Sequence, residues 1–410
     1  MESARSRQNF QILNQEQKRN CIMSENNGKG TALAATALEI LPVTQIEATL
    51  ETGKPKRKYE SLNKPQEIKL DLDAGSSQAK FVIDGWCSSF PSIAKEVSGE
   101  LPSGILGCFS IGSKNYAVGK VTNSLNGKVI EGFKDNKIKF LHVWLIGALC
   151  NHPDLLSDIA DARKYKNKPA RLKISLRLLS LSSSKKDDIA KILQGIKEFT
   201  CEGVIYQVEI NTAGKYLLPE SYGAALQALQ TIPEGTREFH LLDLGGGTLT
   251  FSTYQVGRRP RAGEQTAGSG CGMKAIVERL SIALARVDRG GLQYQKEGLE
   301  VALRNSKPDG KGGHTVKYRY GEETLEIGAT VTHALSEWVS NSPIVENLLS
   351  KVAQALLNGI PVFATGGGMS VSVIADWVQN YVCSGIENPQ FYILDSSESI
   401  NLTGLKHLDS

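Results

Sequence analysis

One stretch, residues 240–251, constrains the fold of this chain more than any other. It begins with an apolar run that predicts a buried strand, and Asp243 stands at the end of that strand. Glycines in the turn that follows permit a positive φ and leave no Cβ between the backbone and a ligand, so N–H groups can point at an anion. A carboxylate at the rim suits the hydration shell of a divalent cation. The turn and the start of the next strand are Gly245, Gly246, Gly247 and Thr248.

The same arrangement occurs a second time, in residues 68–82. An alternating strand runs into Asp73, and a glycine turn with two hydroxyl side chains leads to Lys80 in the next strand. The residues of this turn are Gly75, Ser76 and Ser77. Two hairpins of the pattern strand, aspartate, glycine turn, strand predict a duplicated half-site.

A third glycine turn follows the apolar strand predicted at residues 360–365. A helical pattern begins behind it and runs from Val371 to Tyr381. A turn from strand to helix lets the backbone approach a nucleotide closely. The residues of this turn are Gly366, Gly367, Gly368 and Met369.

In this order, the three stretches resemble the two phosphate loops and the adenosine loop of the actin-like ATPases. Between the first two, the run Pro219, Glu220, Ser221 resembles the start of the connecting helix in the plasmid-segregating ParM/StbA family. The resemblance covers the chain from about residue 66 to its end. It implies an α/β fold of the duplicated, ribonuclease-H-like kind, with two domains whose central mixed sheets are flanked by helices.

The resemblance also implies how the chain divides. We expect a first domain over 67–240 and a second over 241–389. The composition of residues 1–66, rich in Gln, Asn, Ser, Thr and Glu with few aromatics, predicts a disordered extension before them. A small insertion lobe would occupy about 102–165, and the segment 390–410 would return to the first domain.

For the site, the resemblance implies ATP or ADP held between the two domains. Asp73 and Asp243 would hold a hydrated Mg²⁺, and Lys80 would neutralise charge on the phosphoryl oxygens. Glu220 would orient or deprotonate the attacking water. The alternative for each side chain is structural: an acid that caps nearby N–H groups, or a solvated lysine. The residues expected to contact the nucleotide are Asp73, Gly75, Ser76, Ser77, Lys80, Asp243, Gly245, Gly246, Gly247, Thr248, Gly366, Gly367, Gly368 and Met369.

The implied function is a filament-forming ATPase that polymerises with ATP, hydrolyses it in the filament and contacts DNA through an adaptor protein. A filament that serves cell shape is one alternative. A sugar kinase on the same fold is another, although it needs a general-base aspartate for which the sequence offers no clear candidate. A chaperone ATPase is a third, and it needs a large C-terminal substrate domain.

Composition agrees with a globular chain of two or three domains. Of the 410 residues, 40% are hydrophobic and 22% charged, and a net charge of +4 is too small to indicate nucleic acid binding. The basic run Lys54–Lys58 would contact DNA or anionic lipid, or else lie in a solvated linker.

The spacing of the cysteines and the length of the apolar runs indicate the cellular compartment. The seven cysteines are dispersed without a CxxC pair, which indicates reduced thiols. The first residues lack the apolar run of a secretory signal, and the apolar run 140–150 is too short to span a bilayer. We therefore expect a cytoplasmic protein without a transmembrane segment.

Overall fold

The computed structural model describes residues 65–132, 136–162, 169–212, 215–287, 294–395 and 399–408. These residues lie within one compact unit, Tyr59–Ser410. The disorder expected for residues 1–66 concerns a segment that lies almost wholly outside the described residues.

The first half of the described chain forms a ten-stranded sheet. Its strands are β1 (Gln66–Ala74), β2 (Gln78–Ile83), β3 (Trp86–Pro91), β4 (Ile93–Val97), β5 (Cys108–Ile111), β6 (Lys114–Val118), β7 (Gly127–Glu131), β8 (Ala170–Leu179), β9 (Glu198–Cys201) and β10 (Val204–Asn211). Its helices are α1 (Asn136–Lys139), α2 (Leu141–Cys150), α3 (Leu155–Ala162) and α4 (Lys186–Gly195), with 3₁₀ turns at Gly119–Ser124 and Ser183–Lys185. The strand order is β3-β2-β1-β8-β10-β9-β5-β6-β4-β7.

The second half begins with α5 (Tyr222–Ala228) and forms a five-stranded sheet with two small hairpins. Its strands are β11 (Glu238–Leu244), β12 (Thr248–Gln255), β13 (Arg261–Ser269), β14 (Lys307–Pro308), β15 (His314–Thr315), β16 (Lys317–Tyr320), β17 (Glu323–Glu326), β18 (Val362–Thr365) and β19 (Phe391–Ile393). Its other helices are α6 (Met273–Val287), α7 (Lys296–Arg304), α8 (Gly328–Ser340), α9 (Pro343–Leu357), α10 (Ser372–Cys383) and α11 (Ile400–Thr403), which continues as the 3₁₀ turn Gly404–Leu408.

The two sheets share one plan. The strands β3-β2-β1-β8-β10 of the first sheet correspond in order to β13-β12-β11-β18-β19, which form the second. In each set the first three strands are antiparallel, and the last two run parallel to the central strand. This repetition confirms the predicted duplicated α/β fold with mixed sheets.

Each half has its own apolar core, which fixes the strand ends at the site. Alternating residues of β8 are buried, as expected for a strand with helices on its covered face. In α2, which is apolar on all sides, His142 is the one side chain that is not buried. A helix of this kind fits a covered position inside a domain.

Within the described residues, no helix has the length and apolar character needed to cross a membrane.

The structure corrects several sequence-based element boundaries. With Asp187 and Asp188 in a first turn, the sequence predicts a helix to about Phe199. The helix ends at Gly195, because residues 198–201 pair with β10 as strand β9. A helix, α3, occupies part of the stretch 151–167, for which none was predicted. The strands β5, β6 and β7 of the expected insertion lobe continue the first sheet together with β4, which lies before the expected bounds, and β5 joins β9 at Ser110 and Thr200.

The segment 390–410 is divided between the two halves. We expected it to return to the first domain, but its strand β19 pairs with β18 at the edge of the second sheet. Leu402 and Leu405, by contrast, pack with Leu179 at the end of β8. The segment therefore completes the second sheet before it contacts the first.

Candidate active site

The ends of the two central strands, β1 and β11, line one cavity of about 490 Å³. Asp73 stands near the end of β1 and Asp243 at the corresponding position of β11. The sequence-predicted residues that line this cavity are Asp73, Gly75, Ser76, Ser77, Lys80, Glu220, Asp243, Gly245, Gly246, Gly247, Thr248, Gly366 and Gly367. The structure thus brings together residues that are far apart in the chain.

The turns of the two hairpins contact each other across this cavity. A Cβ on Gly246 would overlap Ser77 Oγ. Neither Gly245 nor Gly246 has φ in the left-handed region, so Gly246 is required for space and not for the positive φ that we expected. The start of α6 also holds the second turn in place, because the N–H groups of Met273 and Lys274 donate to the carbonyls of Gly245 and Gly246.

The first turn presents a hydroxyl group that lacks a partner. Ser77 Oγ is buried and has no hydrogen-bond partner within the described part of the chain. The turn itself is fixed, since Ser92 Oγ donates to the carbonyl of Gly75 at 2.7 Å and Ser92 N–H donates to the carbonyl of Ser77 at 2.9 Å. Buried polar atoms are normally satisfied, so an unpaired hydroxyl on a residue that lines the cavity fits a polar ligand.

The third glycine turn packs on the second hairpin. Gly366 has φ 96°, a conformation that favours glycine, and a Cβ there would overlap Asp243 Oδ1. The N–H of Gly368 donates to the carbonyl of Leu244 at 2.8 Å. Gly368 and Met369 were expected at the site, but neither lines the cavity, and the side chain of Met369 is buried in the core of the second half.

The two aspartates have matching surroundings. Asp73 is 5% exposed and accepts a hydrogen bond from Ser180 Oγ at 2.5 Å, and Asp243 is 8% exposed and accepts one from Ser221 Oγ at 2.6 Å. Ser180 and Ser221 have φ of 63° and 62°, both left-handed. Asn401 Nδ2 also donates to Asp243, at 3.4 Å. Each buried acid is therefore held by a serine in a strained conformation.

The charges of these acids favour a cation between them. Burial raises the pKa of Asp243, the hydrogen bond from Ser221 opposes this rise, and the nearby charge of Asp73 adds to it. Within the described residues, no group of three or more His, Cys, Asp or Glu side chains could enclose a metal ion. Two facing carboxylates fit Mg²⁺, which keeps several of its waters and needs few protein ligands.

Glu220 lines the same cavity from the start of α5. We expected Pro219 in the first turn of this helix, but the helix begins at Tyr222, after the left-handed Ser221. Burial, and next the charge of Asp243, raise the pKa of Glu220 to about 7, whereas Lys137 opposes this shift. A carboxyl group with such a pKa can accept or release a proton near neutral pH.

Sequence reasoning missed other residues of the cavity. Ser180 was detectable in principle, because it directly follows β8, a strand with a clear apolar alternation that pairs with β1. Asn401 carried no local signal, since it lies 158 residues after Asp243. The further lining residues that were missed are Gln78, Pro91, Ser92, Ile93, Glu131, Lys137, Met273, Lys274, Glu297, Glu300 and Arg304.

Comparison with known proteins identifies the fold. No protein-family model matches the chain, and no curated protein sequence does. A solved structure of an archaeal actin homolog matches with a TM-score of 0.58 and 15% identity, over 83% of this chain and 98% of that one.

Two further structures are ParM proteins. ParM of Bacillus thuringiensis, solved with ATP, matches with a TM-score of 0.52 and 14% identity, over 84% of this chain and 100% of that one. A 15-stranded ParM filament from Clostridium botulinum matches with a TM-score of 0.54 and 16% identity, over 84% and 98%. At these identities the similarity establishes the fold alone, which is actin-like and of the ParM type. The fold predicted from the sequence is thereby confirmed.

Proposed function

We propose that this chain binds ATP with a hydrated Mg²⁺ in the cavity between β1 and β11, hydrolyses it, and assembles into filaments in its ATP-bound state. The observation that carries this proposal is the pair of aspartates at equivalent strand ends, Asp73 and Asp243, above glycine turns that contact each other. Each half supplies one acid and one turn, so both halves would bind the same phosphate groups.

Different residues of the chain would bind the phosphates and neutralise their charge. Backbone N–H groups of the two turns would bind the phosphate oxygens, and the unpaired Ser77 hydroxyl would add a hydrogen bond. Lys80, which lies opposite Asp73 in the ladder between β1 and β2, would neutralise negative charge on the phosphates. Bound Mg²⁺, held through water by Asp73 and Asp243, would withdraw charge from the phosphoryl oxygens.

Glu220 is the residue proposed to act on the attacking water. Its carboxylate would accept a hydrogen bond from that water and orient it. Its raised pKa, about 7, makes the carboxylate a better proton acceptor than an ordinary glutamate. The third glycine turn, Gly366 and Gly367, would approach the adenosine.

Assembly is proposed from the fold, because a ParM filament is among the matching structures. A role in DNA segregation through a DNA-binding adaptor protein follows the same similarity, and a filament that organises the cell is the alternative within this class. We further propose two actin-like domains, close to the expected bounds 67–240 and 241–389 but with α5 and β19 in the second domain, and a cytoplasmic location.

The test compares Glu220→Gln with wild type in two measurements, phosphate release and pelleting after addition of Mg²⁺ and ATP. Wild type should release phosphate and form polymer that disappears as ATP is consumed. Glu220→Gln should release phosphate about 10²–10⁴-fold more slowly, as is typical when a general base is lost, and its polymer should persist.

Glu234→Gln is the matched control, because Glu234 is exposed and does not line the cavity. It should behave as wild type does. Phosphate release by Glu220→Gln at the wild-type rate would refute the role of Glu220. Phosphate release without any pelleting of wild type would refute filament assembly and favour another enzyme on this fold.

A further inference from the structure

The last described segment of the chain crosses α5 with no space between the two backbones. A Cβ on Gly223, in α5, would overlap the backbone of Asn401, and a Cβ on Gly404 would overlap the backbone of Gly223. Gly404 has an ordinary helical φ of −65°, so glycine is required here for close approach and not for conformation. The two glycines thus fix how deeply residues 400–408 sit against α5.

This close crossing places the side chain of Asn401 beside the candidate active site. Its Nδ2 donates to Asp243 Oδ2 at 3.4 Å, and its Oδ1 accepts the N–H of Ala224 in α5 at 3.4 Å. The orientation of the amide is therefore determined, because only a nitrogen can donate to the carboxylate and only an oxygen can accept the N–H. Asn401 also lines the cavity.

The contacts of Asp243 are divided between its two oxygens. Oδ2 accepts from Ser221, which precedes α5, and from Asn401, which belongs to α11. Oδ1 lies against Gly366, where a Cβ would overlap it. Both donors to Oδ2 therefore belong to the two crossing segments and not to the sheet that carries the acid.

We propose that Asn401 is a positioning residue: it orients the carboxylate of Asp243 toward the hydrated Mg²⁺ of a bound nucleotide. This role rests on the proposed nucleotide binding. The position of residues 400–408 would then affect the site, since the close approach of Gly223 and Gly404 holds Asn401 beside Asp243. Hydrogen-bond partners that orient a metal ligand typically change metal affinity about 10–100-fold when they are removed.

The experiment measures the affinity of the full chain for a fluorescent ADP analogue, once with Mg²⁺ and once with EDTA. ADP avoids turnover, so binding is read directly. Asn401→Leu removes both amide hydrogen bonds at similar volume. We expect its affinity in Mg²⁺ to fall roughly 10-fold or more, and its affinity in EDTA to stay near that of wild type. Raising the Mg²⁺ concentration should restore binding, because the metal ligand is misplaced and not lost.

Thr403→Val is the matched control, since Thr403 is exposed on the same helix and does not line the cavity. It should bind as wild type does under both conditions. Asn401→Ala is the second variant, and circular dichroism identifies which of the two variants is folded.

The outcomes separate this role from the proposed function. An equal loss of affinity in Mg²⁺ and EDTA, or no loss in either, overturns the positioning role while nucleotide binding stands. If wild type itself binds no nucleotide, the proposed function fails and the role of Asn401 fails with it. A loss confined to Mg²⁺ supports both.

Discussion

Ser180 and Ser221 are two residues whose conformation is explained by the acids that they contact. Left-handed φ in a residue other than glycine costs on the order of 1–3 kcal/mol. Here the strain places each hydroxyl against a buried carboxylate, Asp73 or Asp243, at 2.5 and 2.6 Å. Hydrogen bonds to charged groups contribute about 1.5–3 kcal/mol, which is enough to offset the strain. The hydrogen bonds to Asp73 and Asp243 therefore account for the left-handed serine at each position.

Glu220 is a residue whose surroundings favour its protonated form. Its pKa is raised from 4.5 to about 7, chiefly by burial and next by the charge of Asp243. Between these two values the folded chain holds a proton that the unfolded chain releases. Ionised Glu220 therefore destabilises the fold, fully above pH 7 and not at all below pH 4.5.

We predict that Glu220→Gln stabilises the nucleotide-free protein at alkaline pH. At pH 8 the substitution removes a buried charge and should raise the free energy of unfolding by about 1–3 kcal/mol. At pH 4.5, where the glutamate is protonated, the two proteins should differ little. Urea unfolding in EDTA at both pH values measures this, and a difference that does not change with pH would show that Glu220 is not held protonated.

At the scale of elements, the contact between the two hairpins sets the geometry of the site. Gly246 lies in the turn between β11 and β12. A side chain at this position would overlap Ser77, which lies in the turn between β1 and β2. The closed arrangement of the two turns therefore depends on this one pair of residues.

We predict that Gly246→Ala separates the two turns and weakens binding of a fluorescent ATP analogue about 10-fold or more, because a misplaced phosphate contact is costly. Ser77→Gly removes the side chain that the new methyl group would strike. The double variant Gly246→Ala/Ser77→Gly should then bind better than Gly246→Ala alone. If the losses of affinity caused by the two substitutions simply add in the double variant, the two turns do not contact each other in solution.

The elements that could be predicted are those with a local signal. Both hairpins follow from apolar strands that end in an acid and a glycine turn. The glycine-rich run 267–272 predicts the start of a helix over Met273–Val287, which α6 confirms. α3 was missed although Leu155, Leu156 and Ile159 are spaced as the buried side of a helix.

Other elements depend on contacts that no local pattern contains. Strand β9 exists because residues 198–201 pair with β10, which overrides the helical pattern that continues to Phe199. The start of α5 is delayed to Tyr222 because Ser221 turns toward Asp243. Asn401 reaches the site through the crossing of two glycines, 181 residues apart, at Gly223 and Gly404.

At the scale of the whole molecule, duplication explains why the site lies where it does. Two copies of one five-stranded plan place their central strand ends on the same cavity, so each copy contributes an acid and a glycine turn. The copies are not equal in size, because the first sheet continues through β9 into β5, β6, β4 and β7. The site uses what the copies share, and the added strands supply only a few lining residues, such as Ile93 and Glu131.

The residues before the first strand should be dispensable for nucleotide binding. Among the described residues, those that line the cavity all fall between Asp73 and Asn401, and β1 begins at Gln66. The earlier residues are rich in Gln, Asn, Ser, Thr and Glu, a composition that rarely forms a packed core. We therefore predict that a chain beginning at Pro65 binds the fluorescent ATP analogue and releases phosphate as the full chain does.

The measurement compares the two chains in nucleotide affinity, phosphate release and pelleting, with thermal unfolding to establish that the shorter chain is folded. Equal affinity and equal release per molecule are expected, because the shorter chain keeps all the described residues that line the cavity. Pelleting is the separate readout: a change in pelleting alone would assign the first 64 residues to assembly and leave the site intact. A folded but inactive shorter chain would place part of the catalytic machinery before Pro65 and would contradict the boundary of the actin-like fold proposed here.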